Sequence, residues 1–111
     1  MHRLFPQKLL TIVTDDALEI RLVDIVRKRG ASGYTIVKAH GAGSSGDISG
    51  ELDVDTNIKF HVIVPQGRMS AMLDDVEELI NAGEHLTVFV SDIAVLGPEK
   101  FEQPLVDTTA Q

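Results

Sequence analysis

Residues 41–50 read GAGSSGDISG, and the acidic stretch ELDVD follows directly. Only Ala42 and Ile48 in the first ten could bury apolar surface, so little there offsets the entropy of ordering the backbone. A connector this long in a small domain is expected to bind something. Covalent catalysis is a poor fit. Ser44 and Ser45 lie in a glycine run with no strand-turn-helix context and no His-carboxylate setting, and the chain has no cysteine, so it holds neither a thiol nucleophile nor a thiolate metal site. Four histidines, His2, His40, His61 and His85, leave a metal open, but no pair has the spacing of a zinc site. The carboxylates Asp74, Asp75, Glu77 and Glu78 read as a solvated helix surface. No enzyme activity is expected.

Composition narrows the remaining classes. The chain has 111 residues, 43% of them hydrophobic, enough for one ordinary core and a single domain spanning 1–111. Its formal net charge of -7 disfavours nucleic acid and anionic lipid as partners. The N-terminal apolar run is too short for a signal peptide, and no run approaches membrane-spanning length, so a cytoplasmic protein without membrane insertion is expected.

The elements that must hold the loop follow from the apolar pattern. Residues 8–14 form a buried strand; Asp15 or Asp16 then caps a helix whose Leu18, Leu22, Ile25 and Val26 share a face, ending at Gly30. Arg27, Lys28 and Arg29 in its last turn suit either the negative helix end or an anion. Residues 33–40 form a second strand. Residues 57–64 alternate, with Ile58, Phe60, Val62 and Val64 on one face and Asn57, Lys59, His61 and Ile63 on the other, and Pro65 closes the strand. Met69, Met72, Leu73, Val76, Leu79 and Ile80 mark an amphipathic helix ending near Gly83, its methionines serving as core filler. Residues 86–96 form the last strand, and 97–111 a polar tail.

This order predicts an α+β fold of ferredoxin-like βαββαβ type: a four-stranded antiparallel sheet, two helices on one face, and the long loop between strands two and three. The other face is left open. It would carry Lys59, His61, Ile63 and Phe89, and an aromatic there points to burial against another copy.

The residues GYTIVKAHGAG and NIKFHVIVP, in this order and on either side of the loop, resemble the PII signal-transduction superfamily along nearly the whole chain. The short glycine- and serine-rich loop is more similar to the PII-like branch tied to inorganic-carbon uptake and carboxysomes than to the nitrogen-regulatory branch. The resemblance implies a homotrimer that binds adenine nucleotides in clefts between subunits and signals through a flexible T-loop, here about 41–56. Carried over by position, Thr35 and Ile63 would lie against the adenine. Gly41, Gly43, Ser44 and Ser45 would supply donors near ribose and phosphate, glycine allowing close backbone approach. Gly83, His85 and Leu86 would fall in the B-loop on the opposite wall, and Lys38 and Lys59 would be the cations to hold a small anion such as bicarbonate, Lys59 being equally suited to an ion pair with a neighbouring subunit's carboxylate.

The chain departs from the nitrogen-regulatory pattern where that pattern grips a triphosphate. The B-loop lysine and the paired arginines of the last strand are replaced by NAGEHLTV and AVLGPEKF, and no cation lies between Ala39 and Ile58. An acidic loop penalises a highly charged ligand. The expected function is therefore a regulatory trimer that favours AMP or ADP over ATP and signals to a transporter or carboxysome-linked protein of carbon metabolism. No other cofactor is expected. The alternative is a metal-binding or structural trimer of the CutA type.

Overall fold

A computed structural model of the chain describes residues 2–31, 33–40 and 56–97, without the Gln66 side chain. The expectations for the loop at 41–55 and for the tail beyond Gly97 lie outside the described residues.

Four strands, β1 (Leu4–Asp15), β2 (Tyr34–Lys38), β3 (Asn57–Val64) and β4 (Thr87–Leu96), form one sheet in the order β2-β3-β1-β4. All three pairings are antiparallel. Helices α1 (Glu19–Lys28) and α2 (Gln66–Asn81) follow β1 and β3, giving the ferredoxin-like order predicted from the sequence.

Burial in β3 alternates residue by residue, and Ile58, Phe60, Val62 and Val64 all face the helices. Phe60, Val62 and Val64 meet Leu10 and Ile12 of β1, Leu22 and Val26 of α1, and Met72, Val76 and Leu79 of α2 in one core, with Met69 packed at its margin. Met72 is core filler, as its spacing implies. Tyr34 stacks on Phe60 with ring centroids 5.3 Å apart, which fixes the short edge strand β2 to β3. Ile80, expected on the core face, is instead 42% exposed, because Leu79 already fills the inner position at the end of α2.

Three boundaries differ from expectation, the first being β2, which spans Tyr34–Lys38 rather than residues 33–40. Second, β1 begins at Leu4 rather than at residue 8, because residues 4–7 pair with 93–96 and extend β1 and β4 as a two-stranded ribbon. Pro6 is tolerated there because β3 pairs with β1 only from Lys8 onward, leaving one side of the ribbon free. Third, the chain enters α1 through a short 3-10 turn, Asp16–Leu18, whose cap is Asp15: its Oδ1 accepts from the Ala17 amide at 2.8 Å.

The basic trio and the acidic cluster are also connected. Arg29 donates to Asp75 through Nε at 2.6 Å and Nη2 at 3.0 Å, and Lys28 approaches the same carboxylate at 4.0 Å. Arg29 thus holds the two helices together, and Asp75, with a side chain only 12% exposed, is no solvated surface residue.

Candidate functional site

Antiparallel pairing brings the C-terminal ends of β1 and β2 and the N-terminal ends of β3 and β4 to one end of the sheet. The β2–β3 connection leaves and returns at this end, and the α2–β4 turn enters there. Gly41, Gly43, Ser44 and Ser45 lie outside the described residues, so the site is built from its stems.

On the face away from the helices, the side chains form rows across the strands. Thr35 lies opposite His61, His61 opposite Thr11, and Thr11 opposite Phe89. The next row toward the loop is Val37, Lys59, Val13 and Thr87. Ile63 pairs with Leu9 on this face, diagonally beside Thr35 at roughly 7 Å by strand geometry. Thr35, Ile63 and Lys59 are therefore gathered on one surface. Thr35 is exposed, and the other two are half-buried.

Lys38 does not join them. It pairs with Ile58, whose side chain is in the core, so Lys38 leaves the sheet on the helix-facing side while Lys59 leaves on the other. The two lysines therefore start from opposite faces of the sheet.

The turn carrying Gly83, His85 and Leu86 lies at the β4 edge. Gly83 has φ +101° and closes α2, its amide donating to the Ile80 carbonyl at 3.0 Å. Leu86 packs against the core, and His85 is exposed while its carbonyl accepts from the Thr14 hydroxyl at 2.8 Å. β2 and β4 are opposite edges of the sheet, three strand spacings or roughly 14 Å apart. One chain therefore does not bring the Thr35 surface and the 83–86 turn into a single pocket.

Three polar contacts at this end are not announced by any motif. Asp15 Oδ2 accepts from the Thr56 hydroxyl at 2.7 Å, and the Asp16 amide donates to the Thr56 carbonyl at 2.7 Å, so the returning stem of the loop is tied to the end of β1. The Ala17 amide, then the Thr56 hydroxyl, hold the Asp15 carboxyl below its ordinary range. Arg21 of α1 reaches Glu84 in the turn at 3.2 Å. Only the Thr14–His85 bond had a sequence signal, since Thr14 falls in phase with Leu10 and Ile12 on the buried face of β1 and must find a partner there. Elsewhere on the open face the buried Thr11 hydroxyl lies 3.3 Å from His61 Nδ1. Among the described residues no three histidine or carboxylate side chains gather where a metal ion could be held.

Among known proteins, the family model described as nitrogen regulatory protein P-II matches residues 7–100. CPII, a nitrogen regulatory PII-like protein from Thiomonas intermedia K12, solved bound to ADP, AMP and bicarbonate, is 32% identical, with a TM-score of 0.81, covering 91% of this chain and 98% of that one. The same protein bound to ADP and bicarbonate is similar at 32% identity and TM-score 0.80, over 91% of this chain and 99% of that one. A PII-like signaling protein from Thermus thermophilus is 33% identical with a TM-score of 0.72, covering 88% of this chain and 97% of that one.

Proposed function

The chain belongs to the nitrogen regulatory protein P-II family, and from that membership we propose that it is a regulatory homotrimer that senses AMP or ADP, together with bicarbonate or another small anion. The observation that carries this reading is the 32% identity, over 91% of this chain, to a CPII structure that holds ADP, AMP and bicarbonate. The wide separation of the Thr35 surface from the 83–86 turn supports a cleft completed by a neighbouring copy. The open face, with Phe89 47% exposed and Val37 45% exposed, offers the apolar surface for such an assembly.

In this reading Thr35 and Ile63 contact the base, the glycines and serines at 41–45 contact ribose and phosphate, and Gly83, His85 and Leu86 line the facing wall. Lys59 is the cation for the anion. The preference for fewer phosphates rests on charge: the loop carries Asp47, Glu51, Asp53 and Asp55, and no cation lies between Ala39 and Ile58. A γ-phosphate would bring further negative charge beside them. Ligand then biases the T-loop, which signals to a transporter or carboxysome-linked protein in the cytoplasm. A preference of ~1–3 kcal/mol for one loop state makes a usable switch. The protein acts as a regulator and not as an enzyme.

Isothermal titration with AMP, ADP, ATP and cyclic AMP, with and without bicarbonate, tests the reading. Saturable AMP or ADP binding supports it. Absence of nucleotide binding together with tight divalent-metal binding would replace it with the metal-binding alternative.

A further inference from the structure

Thr14 and Asp15 are adjacent, so their side chains leave β1 on opposite faces, yet each is bonded to a different loop stem. Thr14 Oγ1 donates to the His85 carbonyl at 2.8 Å; Asp15 Oδ2 accepts from the Thr56 hydroxyl, and the Asp16 amide donates to the Thr56 carbonyl, both at 2.7 Å. Thr14 is only 4% exposed, so water cannot replace its partner. β1 is paired on both sides at this end, Asp15 with Asn57 and Val13 with Thr87. The end of the strand therefore has little freedom to move with one neighbour and not the other. The Arg21–Glu84 ion pair adds a second hold on the turn, from α1.

We propose that residues Thr14 and Asp15 are positioning residues that couple the 83–86 turn to the Thr56 stem, so that a change at either is transmitted to the other through the end of β1. The inference rests on the functional reading only in taking each stem as a flank of a nucleotide cleft between copies. Neither residue need touch the ligand. Their hydrogen bonds set where the two flanks stand, and a ligand that moves one flank would work against the bonds holding the other.

Hydrogen exchange and ADP titration on the full chain test this with Thr14→Val, Thr56→Val and the double variant. Two amides report the stems: Ala39, which donates to the Asn57 carbonyl at 2.9 Å, and Glu84, which donates to the Leu79 carbonyl at 3.0 Å. Thr14→Val is expected to speed exchange at Ala39, and Thr56→Val at Glu84, each about three- to tenfold, the scale of one hydrogen bond. ADP affinity is expected to fall by a similar factor in each single variant and by little more in the double. Thr14→Ser, which keeps the hydroxyl, should restore both readouts and covers the case in which Thr14→Val folds poorly. Exchange changes confined to the substituted stem, or additive losses of affinity in the double variant, would overturn the coupling. If the unsubstituted chain takes up no ADP, the functional reading fails, and the exchange arm still decides the coupling.

Discussion

Arg29 and Asp75 form a two-pronged ion pair, Nε to Oδ2 at 2.6 Å and Nη2 to Oδ1 at 3.0 Å, that fastens the C-terminal end of α1 to the middle of α2. The Arg29 side chain is 37% exposed and Asp75 only 12%, which places the pair between a solvated surface bridge and a buried one. Asp75→Ala should destabilise the fold by about 1 kcal/mol, and Arg29→Lys should recover only part of the pair because an ammonium lacks the planar fork. Chemical denaturation of the three proteins measures this. A fully stable Asp75→Ala would mean that the helices are held by apolar packing alone.

Acid should weaken two of these contacts together. Arg29 holds the Asp75 carboxyl below its ordinary value, and the Ala17 amide and Thr56 hydroxyl do the same for Asp15. A carboxyl lowered in this way adds stability that is complete above its unfolded pKa and is lost as pH falls through its folded pKa. The thermal midpoint should therefore hold steady from neutral pH to about pH 5 and decline below about pH 4. Asp75→Asn should decline less steeply than the unsubstituted protein; an identical slope would assign the acid loss to other groups.

Two glycines can be told apart by substitution. Gly30 and Gly83 both have positive φ, +85° and +101°, but a Cβ added at Gly30 would run into the Arg68 guanidinium, whereas at Gly83 it meets nothing within 4 Å. Gly83→Ala should cost about 1 kcal/mol from backbone strain. Gly30→Ala should cost a little more than that, since the flexible end of Arg68 must swing aside, and that excess should vanish in an Arg68→Ala background. Equal costs in the native background would place Arg68 elsewhere in solution.

For the proposed assembly, light scattering should return about three times the chain mass of 12.1 kDa. Phe89→Glu puts a charge opposite the buried Thr11 and should shift the protein toward smaller species. A monodisperse monomer at micromolar concentration would remove the intersubunit cleft on which the functional reading depends.

For the proposed ligand, ADP or AMP should bind more tightly than ATP, and Gly43→Val should abolish binding while the thermal midpoint stays within about 2 °C, a change of well under 1 kcal/mol. Hydrogen exchange over residues 41–56 should slow when ADP is added and change little in the two helices. ATP binding far tighter than ADP would show that cations from another part of the chain or from a neighbour reach the cleft.

Local patterning alone determined the element order and the orientation of each strand. The alternation from Asn57 to Val64 and the spacing from Met69 to Leu79 can each bury their apolar residues in only one way, and that sufficed to place Phe60, Val62 and Met72 inside and Lys59, His61 and Phe89 on the open face. The position of Asp15 before an apolar helix pattern likewise announced a cap. Long-range pairing decided the rest. That Thr14 would bond the His85 carbonyl, that Asp15 would hold Thr56, and that Arg29 would take Asp75 depend on groups 71, 41 and 46 residues apart meeting at one end of the sheet or across two helices. A sequence period carries no information about such distant partners. The same limit explains the two lysines: Lys38 and Lys59 look equivalent as cations beside the loop, and only the register of β2 against β3, Lys38 on Ile58 and Val37 on Lys59, sends them to opposite faces.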